Sequence, residues 1–182
     1  GKSTLIDIFL GLLSPCSGEV CVDGKIISEC LDTWRSNIGY VPQDSFLRDE
    51  TLRHNIAFAV PDHLIDDNAI SRAIQVARLS DVVKMMPQGV NTTIGERGIR
   101  LSGGQRQRMN IARALYNDPD ILIMDEATSA LDGETEAEIS KAVEELSGEK
   151  TIIIIAHRLS TVKECDRVYF MVDGEIHDSG SL

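Results

Sequence analysis

The chain has 182 residues, 42% of them apolar and 26% charged. That is the balance of one globular domain, with or without a subdomain, and not of a disordered segment. Eighteen Lys and Arg against 29 Asp and Glu leave a formal charge of −11, the wrong sign for a protein that binds by neutralising nucleic-acid phosphates.

The opening, Gly1 to Leu10, has helical apolar spacing and predicts a helix ending near Gly11. Glu19–Val22 and Lys25–Ser28 read as strands joined by Asp23-Gly24, a strong hairpin signal. Ile38–Val41 predicts a buried strand stopped by Pro42. From Thr51 to about Met86 the apolar period becomes helical, as in Asn68–Ala77, and no strand signal interrupts it. A small helical subdomain inserted between strands is the reading. Gly95–Gly104 is a glycine-rich return, followed by a helix from about Gln105 to Tyr116. Ile121–Met124 and Ile152–Ala156 are fully apolar strands separated by a helix over about Thr135–Leu146, which predicts a parallel sheet covered on both faces. Arg167–Val172 and Gly174–His177 close the chain as a strand and its hairpin partner. No apolar run approaches the ~20 residues that cross a bilayer, and no signal peptide is recognised. Cys16, Cys21, Cys30 and Cys165 form no metal-ligand spacing with the four histidines and read as reduced thiols of a cytosolic domain. Gly1 opens inside a motif, so the chain reads as a piece of a longer protein.

Several segments carry chemistry. Gly1-Lys2-Ser3-Thr4 running into a helix is the second half of G-x-x-x-x-G-K-[ST], in which a helix N-terminus faces phosphate, Lys2 reaches the β/γ-phosphates and Ser3 meets Mg²⁺. The same four residues alone could simply start an amphipathic helix. Met124-Asp125-Glu126 ends an apolar strand, where α/β sheets place ligand groups. There Asp125 would hold Mg²⁺ and Glu126 would orient or deprotonate water; the alternative is acids capping the next helix. Ser102 and Gln105 fit a capping box, yet capping does not explain Gly103 and Gly104 in the first turn, each costing about 1 kcal/mol against Ala. Five arginines and no acid between Arg97 and Arg113 suggest phosphate recognition at that helix start. Gln43 and His157 each follow a strand and, taken singly, could be inert turn residues.

Together these residues resemble the nucleotide-binding domain of ABC transporters, over essentially the whole chain. Gly1–Thr4 looks like the end of Walker A, Gln43 like the Q-loop glutamine, and Leu101–Gln105 like the signature motif. Ile121–Glu126 is similar to Walker B, Ser129-Ala130-Leu131-Asp132 to the D-loop, and His157 to the switch histidine. The resemblance implies an α/β P-loop NTPase with a mostly parallel central sheet, a small antiparallel β part and an inserted α-helical subdomain. The core would take about 1–43 and 105–182, and the helical subdomain with the signature loop about 44–104. It implies catalysis by Glu126, His157 and Gln43, with Mg²⁺ on Ser3, Gln43 and Asp125. ATP would be held by Gly1, Lys2, Ser3, Thr4, Gln43, Asp125 and His157, and by Ser102, Gly103, Gly104 and Gln105 of a second copy paired head to tail, most economically as a homodimer. Thr93–Gly98 and Thr51–Ile56 resemble exporters or flippases of lipids, oligosaccharides or drugs, with the membrane domain fused upstream and the ATPase at the cytoplasmic face of the plasma membrane. Glu96 and Gln43 would couple to that membrane domain. An importer ATPase subunit, or a soluble ABC-type ATPase acting on DNA or ribosomes, is the alternative. The first part of Walker A, its strand and the aromatic that stacks on adenine are expected before Gly1, and a final helical segment beyond Leu182.

Overall fold

The computed structural model describes residues 1–182 except 45, 96, 97, 99, 128–132, 157–161, 164 and 182, and except the side chains of 134 and 135. The chain forms two compact units, one of Gly1–Ile38 with Ile155–Leu182 and one of Gly39–Ile154.

In the first unit, helix α1 spans Lys2–Phe9, with Gly1 at its N-cap and Ile6 buried. Two very short strands follow, β1 (Cys21–Val22) and β2 (Lys25–Ile26), paired antiparallel with Cys21 opposite Ile26. Asp23 and Gly24 both adopt positive φ, 50° and 76°, as the tight turn predicted from that dipeptide requires. The strands are shorter than the sequence suggests, because the chain winds into a 3₁₀ turn at Ile27–Glu29. Helix α2 (Leu31–Ser36) was not anticipated. It closes the C-terminal end of α1: Trp34 Nε1 donates to the Phe9 carbonyl at 2.6 Å, while Arg35 donates to Leu10 O at 3.2 Å and Gly11 O at 2.6 Å. A cation there satisfies carbonyls that the helix itself leaves unpaired and complements its dipole. The unit ends in an antiparallel hairpin of β6 (Val168–Val172) and β7 (Glu175–Gly180), with an irregularity at Phe170/Met171.

The second unit is built on strands β3 (Ile38–Val41), β4 (Ile121–Asp125) and β5 (Thr151–Ile155), in the order β3-β4-β5. The sheet is parallel, with helix α7 (Gly133–Glu144) forming the crossover between neighbours β4 and β5. β4 is buried along nearly its whole length, Leu122 and Ile123 completely, which is why its sequence is continuously apolar. Between β3 and β4 come helices α3 (Leu52–Ile56), α4 (Asp67–Val76), α5 (Ser80–Met85) and α6 (Gly103–Leu115). Their apolar faces join the strands in one core containing Val41, Leu47, Leu52, Ile70, Ile94, Met109, Leu122 and Ile139. α6 starts two residues before the predicted Gln105, so both glycines lie inside it; the capping box, by fixing the start at Ser102, outweighs their poor helix propensity.

β3 runs very close to α6. A Cβ added at Gly39 would lie 2.5 Å from the Ala114 carbonyl oxygen and 2.9 Å from Pro119 Cγ. Only glycine permits that approach. The fold as a whole is that of the P-loop NTPases, with parallel and antiparallel strands and helices as the sequence implies.

Candidate active site

Lys2, Ser3 and Thr4 are exposed on the first turn of α1. No acidic residue occupies that turn and no side chain caps it, so its amide N–H groups and the Lys2 ammonium form an anion-facing helix start. Gly1 lends its carbonyl to Leu5 N at 3.1 Å, the first hydrogen bond of the helix.

The second unit places three predicted residues at strand ends. Asp125 is the last residue of β4 and is 8% exposed. Glu126, the next residue, adopts φ of +47°, a left-handed conformation that a non-glycine residue holds only against strain of about 1–3 kcal/mol. That turn takes the chain out of the strand direction and leaves the carboxylate half-buried. Gln43, beyond the end of the neighbouring strand β3, donates from Nε2 to Glu126 Oε2 at 3.0 Å, joining residues 83 apart in sequence. The donation leaves the amide oxygen of Gln43 as its acceptor. Within this unit Asp125 and Gln43 thus offer a carboxylate and an amide carbonyl, hard oxygen donors of the kind Mg²⁺ takes; the Ser3 hydroxyl of the first unit is a donor of the same kind. Among the described residues no cluster of three or more His, Cys, Asp or Glu forms a self-sufficient metal cage, so Mg²⁺ would need phosphate oxygens to complete its shell.

At the start of α6, Ser102 Oγ accepts from Gln105 N at 3.2 Å and Gln105 Oε1 accepts from Ser102 N at 3.0 Å, a complete capping box. The Ser102 hydroxyl proton remains to be donated, and the first-turn amides of Gly103 and Gly104 point out of the helix start. Gln105 is turned back on the helix, with its carbonyl committed to the cap.

One reading of the arginines needs correction. Arg100 donates to Thr93 O, Arg106 to Leu101 O, Arg108 to Arg78 O, and Arg113 to Asn55 O and Phe46 O. These four side chains supply N–H donors to the protein's own carbonyls, and Arg108 also pairs with Glu138 at 3.5 Å. Burial of Arg113 pulls its pKa down to about 10. Arg97, Glu96, His157 and the D-loop residues Ser129–Asp132 lie outside the described residues. A crevice lined by Val76, Ile111, Leu115, Ile139 and Val143 offers only apolar side chains.

A parallel sheet with an acid pair after a buried strand, a glutamine bonded to the second acid, and two helix starts shaped for phosphate defines a P-loop ATPase domain. A family model described as ABC transporter matches residues 1–129. The chain belongs to the ABC transporter family. It is 44% identical, over 100% of its length and 31% of the other protein, to the ATP-dependent lipid A-core flippase of Cupriavidus pinatubonensis. It is 41% identical, over 99% of its length and 30% of the other, to the multidrug resistance ABC transporter ATP-binding and permease protein of Lactococcus lactis. A solved bacterial Atm1-family ABC exporter with ATP bound superimposes with a TM-score of 0.91 at 37% identity, covering 100% of this chain and 32% of that one. The chain therefore spans about a third of the length of these relatives. No described helix is long and apolar enough to cross a membrane.

Proposed function

We propose that this chain binds and hydrolyses ATP to drive export or flipping of a lipid, oligosaccharide or drug-like substrate by a membrane domain in the same polypeptide. The carrying observation is the 3.0 Å Gln43–Glu126 hydrogen bond, which puts a water-orienting amide against a carboxylate suited to act as a base. Relatives named as a flippase and a multidrug transporter support the export reading.

In this mechanism Lys2 and the first-turn amides of α1 hold the phosphates. Bound Mg²⁺ would neutralise charge on the β- and γ-phosphates, held by Ser3, Asp125 and the amide oxygen of Gln43. Glu126, aided by Gln43, orients the attacking water and takes its proton. His157 is assigned the switch-histidine role at the γ-phosphate by its place in the sequence after β5. Ser102, Gly103 and Gly104 donate to ATP held by a second copy paired head to tail, so that closure requires two chains, and Gln105 stiffens their helix start. The domain would work at the cytoplasmic face of the plasma membrane, about 44–104 forming the helical subdomain that meets the membrane domain, with Glu96 at its edge.

In the full-length protein, Glu126→Gln keeps the shape and loses the base. It should bind Mg-ATP as the wild type does and hydrolyse it at least about 100-fold more slowly. Near-normal turnover would remove Glu126 from the base role.

A further inference from the structure

The Arg113 side chain is a polar anchor of the second unit that the mechanism proposed above gives no role. Among the described residues it forms no ion pair with a carboxylate. Its Nε donates to Asn55 O at 2.8 Å, Nη2 to Asn55 Oδ1 at 3.2 Å and Nη1 to Phe46 O at 2.8 Å, and its guanidinium carbon lies 4.8 Å from the centre of the Phe58 ring. Asn55 is completely buried. It accepts from Arg48 N at 2.9 Å and donates from Nδ2 to Arg48 O and Thr51 O, each at 3.0 Å. Arg113 and Asn55 thus grip the backbone on both sides of Leu47, whose own side chain is 1% exposed in the apolar core.

That gripped segment begins three residues after Gln43. The arginine that grips it lies on α6, eleven residues, or about 16 Å of helix, beyond the Ser102 cap. A planar fork can meet three fixed acceptors at once, which a flexible point charge cannot.

We infer that Arg113, acting with Asn55, is a positioning residue that fixes Gln43 against Glu126 by clamping the Phe46–Arg48 segment to the signature helix. The inference rests on the role proposed for Gln43. It makes Gln43 and the Ser102 helix start two ends of one braced element, so that seating a phosphate at α6 and aligning water at Gln43 are coupled mechanically. The clamp serves alignment rather than nucleotide affinity, so it should appear in kcat and not in KM.

The test is a double-mutant cycle on steady-state ATP hydrolysis by the full-length protein, using Gln43→Ala, Arg113→Lys and the pair. Arg113→Lys keeps the charge and stem but loses the fork. It should lower kcat about tenfold or more while leaving the KM for Mg-ATP within about twofold, and should add nothing further in the Gln43→Ala background. Equal loss in both backgrounds, or a rise in KM with kcat intact, would overturn the clamp. If Gln43→Ala alone leaves kcat unchanged, the role given to Gln43 fails and the clamp with it, a result visible without touching Arg113. Should Arg113→Lys not accumulate as folded protein, the same cycle is run with Asn55→Asp. That change keeps the acceptor for Arg113 and Arg48 N but replaces the donations to Arg48 O and Thr51 O by repulsion from a carboxylate oxygen, loosening the Arg48 side of the clamp, and the same pattern is expected.

Discussion

Ser102 has two jobs that chemistry can separate. Its oxygen caps α6 by accepting from Gln105 N, and in the proposed mechanism its proton goes to a phosphate. Asp caps a helix about as well as Ser, but brings a negative charge to the phosphate position. Ser102→Asp should therefore unfold at close to the wild-type temperature yet lose ATP hydrolysis. Ser102→Ala should lose about 1 kcal/mol of stability with the cap. Thermal unfolding and ATPase rates on the same preparations decide it: an active Ser102→Asp would deny Ser102 its phosphate contact. The candidate site was legible where a residue type has few uses in its setting, as with Asp125-Glu126 after a buried strand or Ser102 three residues before Gln105. It was misread at the arginines, because a count of charges says nothing about where the forks point. Arg100, Arg106, Arg108 and Arg113 all turn to carbonyls, and Asn55, the buried residue that Arg113 grips, carries no sequence signal beyond its polarity.

The strands and long helices follow from apolar periodicity. Ile121–Asp125 and Asp67–Val76 fall within a residue of expectation because burial, on all sides or along one face, dictates their composition. α2 escaped notice because it is six residues long and buries none of them, leaving no apolar period to read. At this scale Gly39 is the sharpest test of packing. Gly39→Ala sets a methyl 2.5 Å from a backbone oxygen of α6, which neither element can easily yield. Overpacking of this kind costs about 1–3 kcal/mol, so the melting temperature should fall by roughly 2–4 °C per kcal/mol. An unchanged melting temperature would mean that β3 and α6 stand farther apart. The start of β5 offers a pH test. Lys150 Nζ donates to Asp118 Oδ1 and to Pro119 O, each at 2.7 Å. The hydrogen bond from Lys150, then its charge, holds the Asp118 carboxyl below the usual range. Its contribution is complete above the ordinary Asp pKa, near 3.9, and is lost as pH falls through the lowered folded-state value. Asp118 is mostly exposed, so the pair is worth under about 1 kcal/mol. Lys150→Met should be destabilised by that amount at pH 7 and by less at pH 2, where only the Pro119 contact is missed. A constant difference across denaturant melts at both pH values would assign the effect to Pro119 alone.

For the molecule as a whole, one chain carries both kinds of phosphate-facing helix start: α1 with Lys2, and α6 with Ser102, Gly103 and Gly104. Two such starts in each subunit make sense if ATP is gripped by α1 of one copy and α6 of another, so that neither copy is complete by itself. The direct measurement is ATP hydrolysis by mixed dimers of the full-length protein. Lys2→Ala and Ser102→Arg chains should each be inactive as homodimers; mixed in a head-to-tail dimer, they would concentrate both lesions in one shared site and leave the other intact in its direct contacts. A shared site predicts that the isolated heterodimer of the two single variants regains hydrolysis, while the isolated heterodimer of a wild-type chain with the Lys2→Ala/Ser102→Arg double variant stays inactive, because each of its two sites then carries one lesion. If instead the heterodimer with the double variant turns over while that of the two single variants remains inactive, Ser102 acts on the ATP of its own chain, and the head-to-tail site is contradicted.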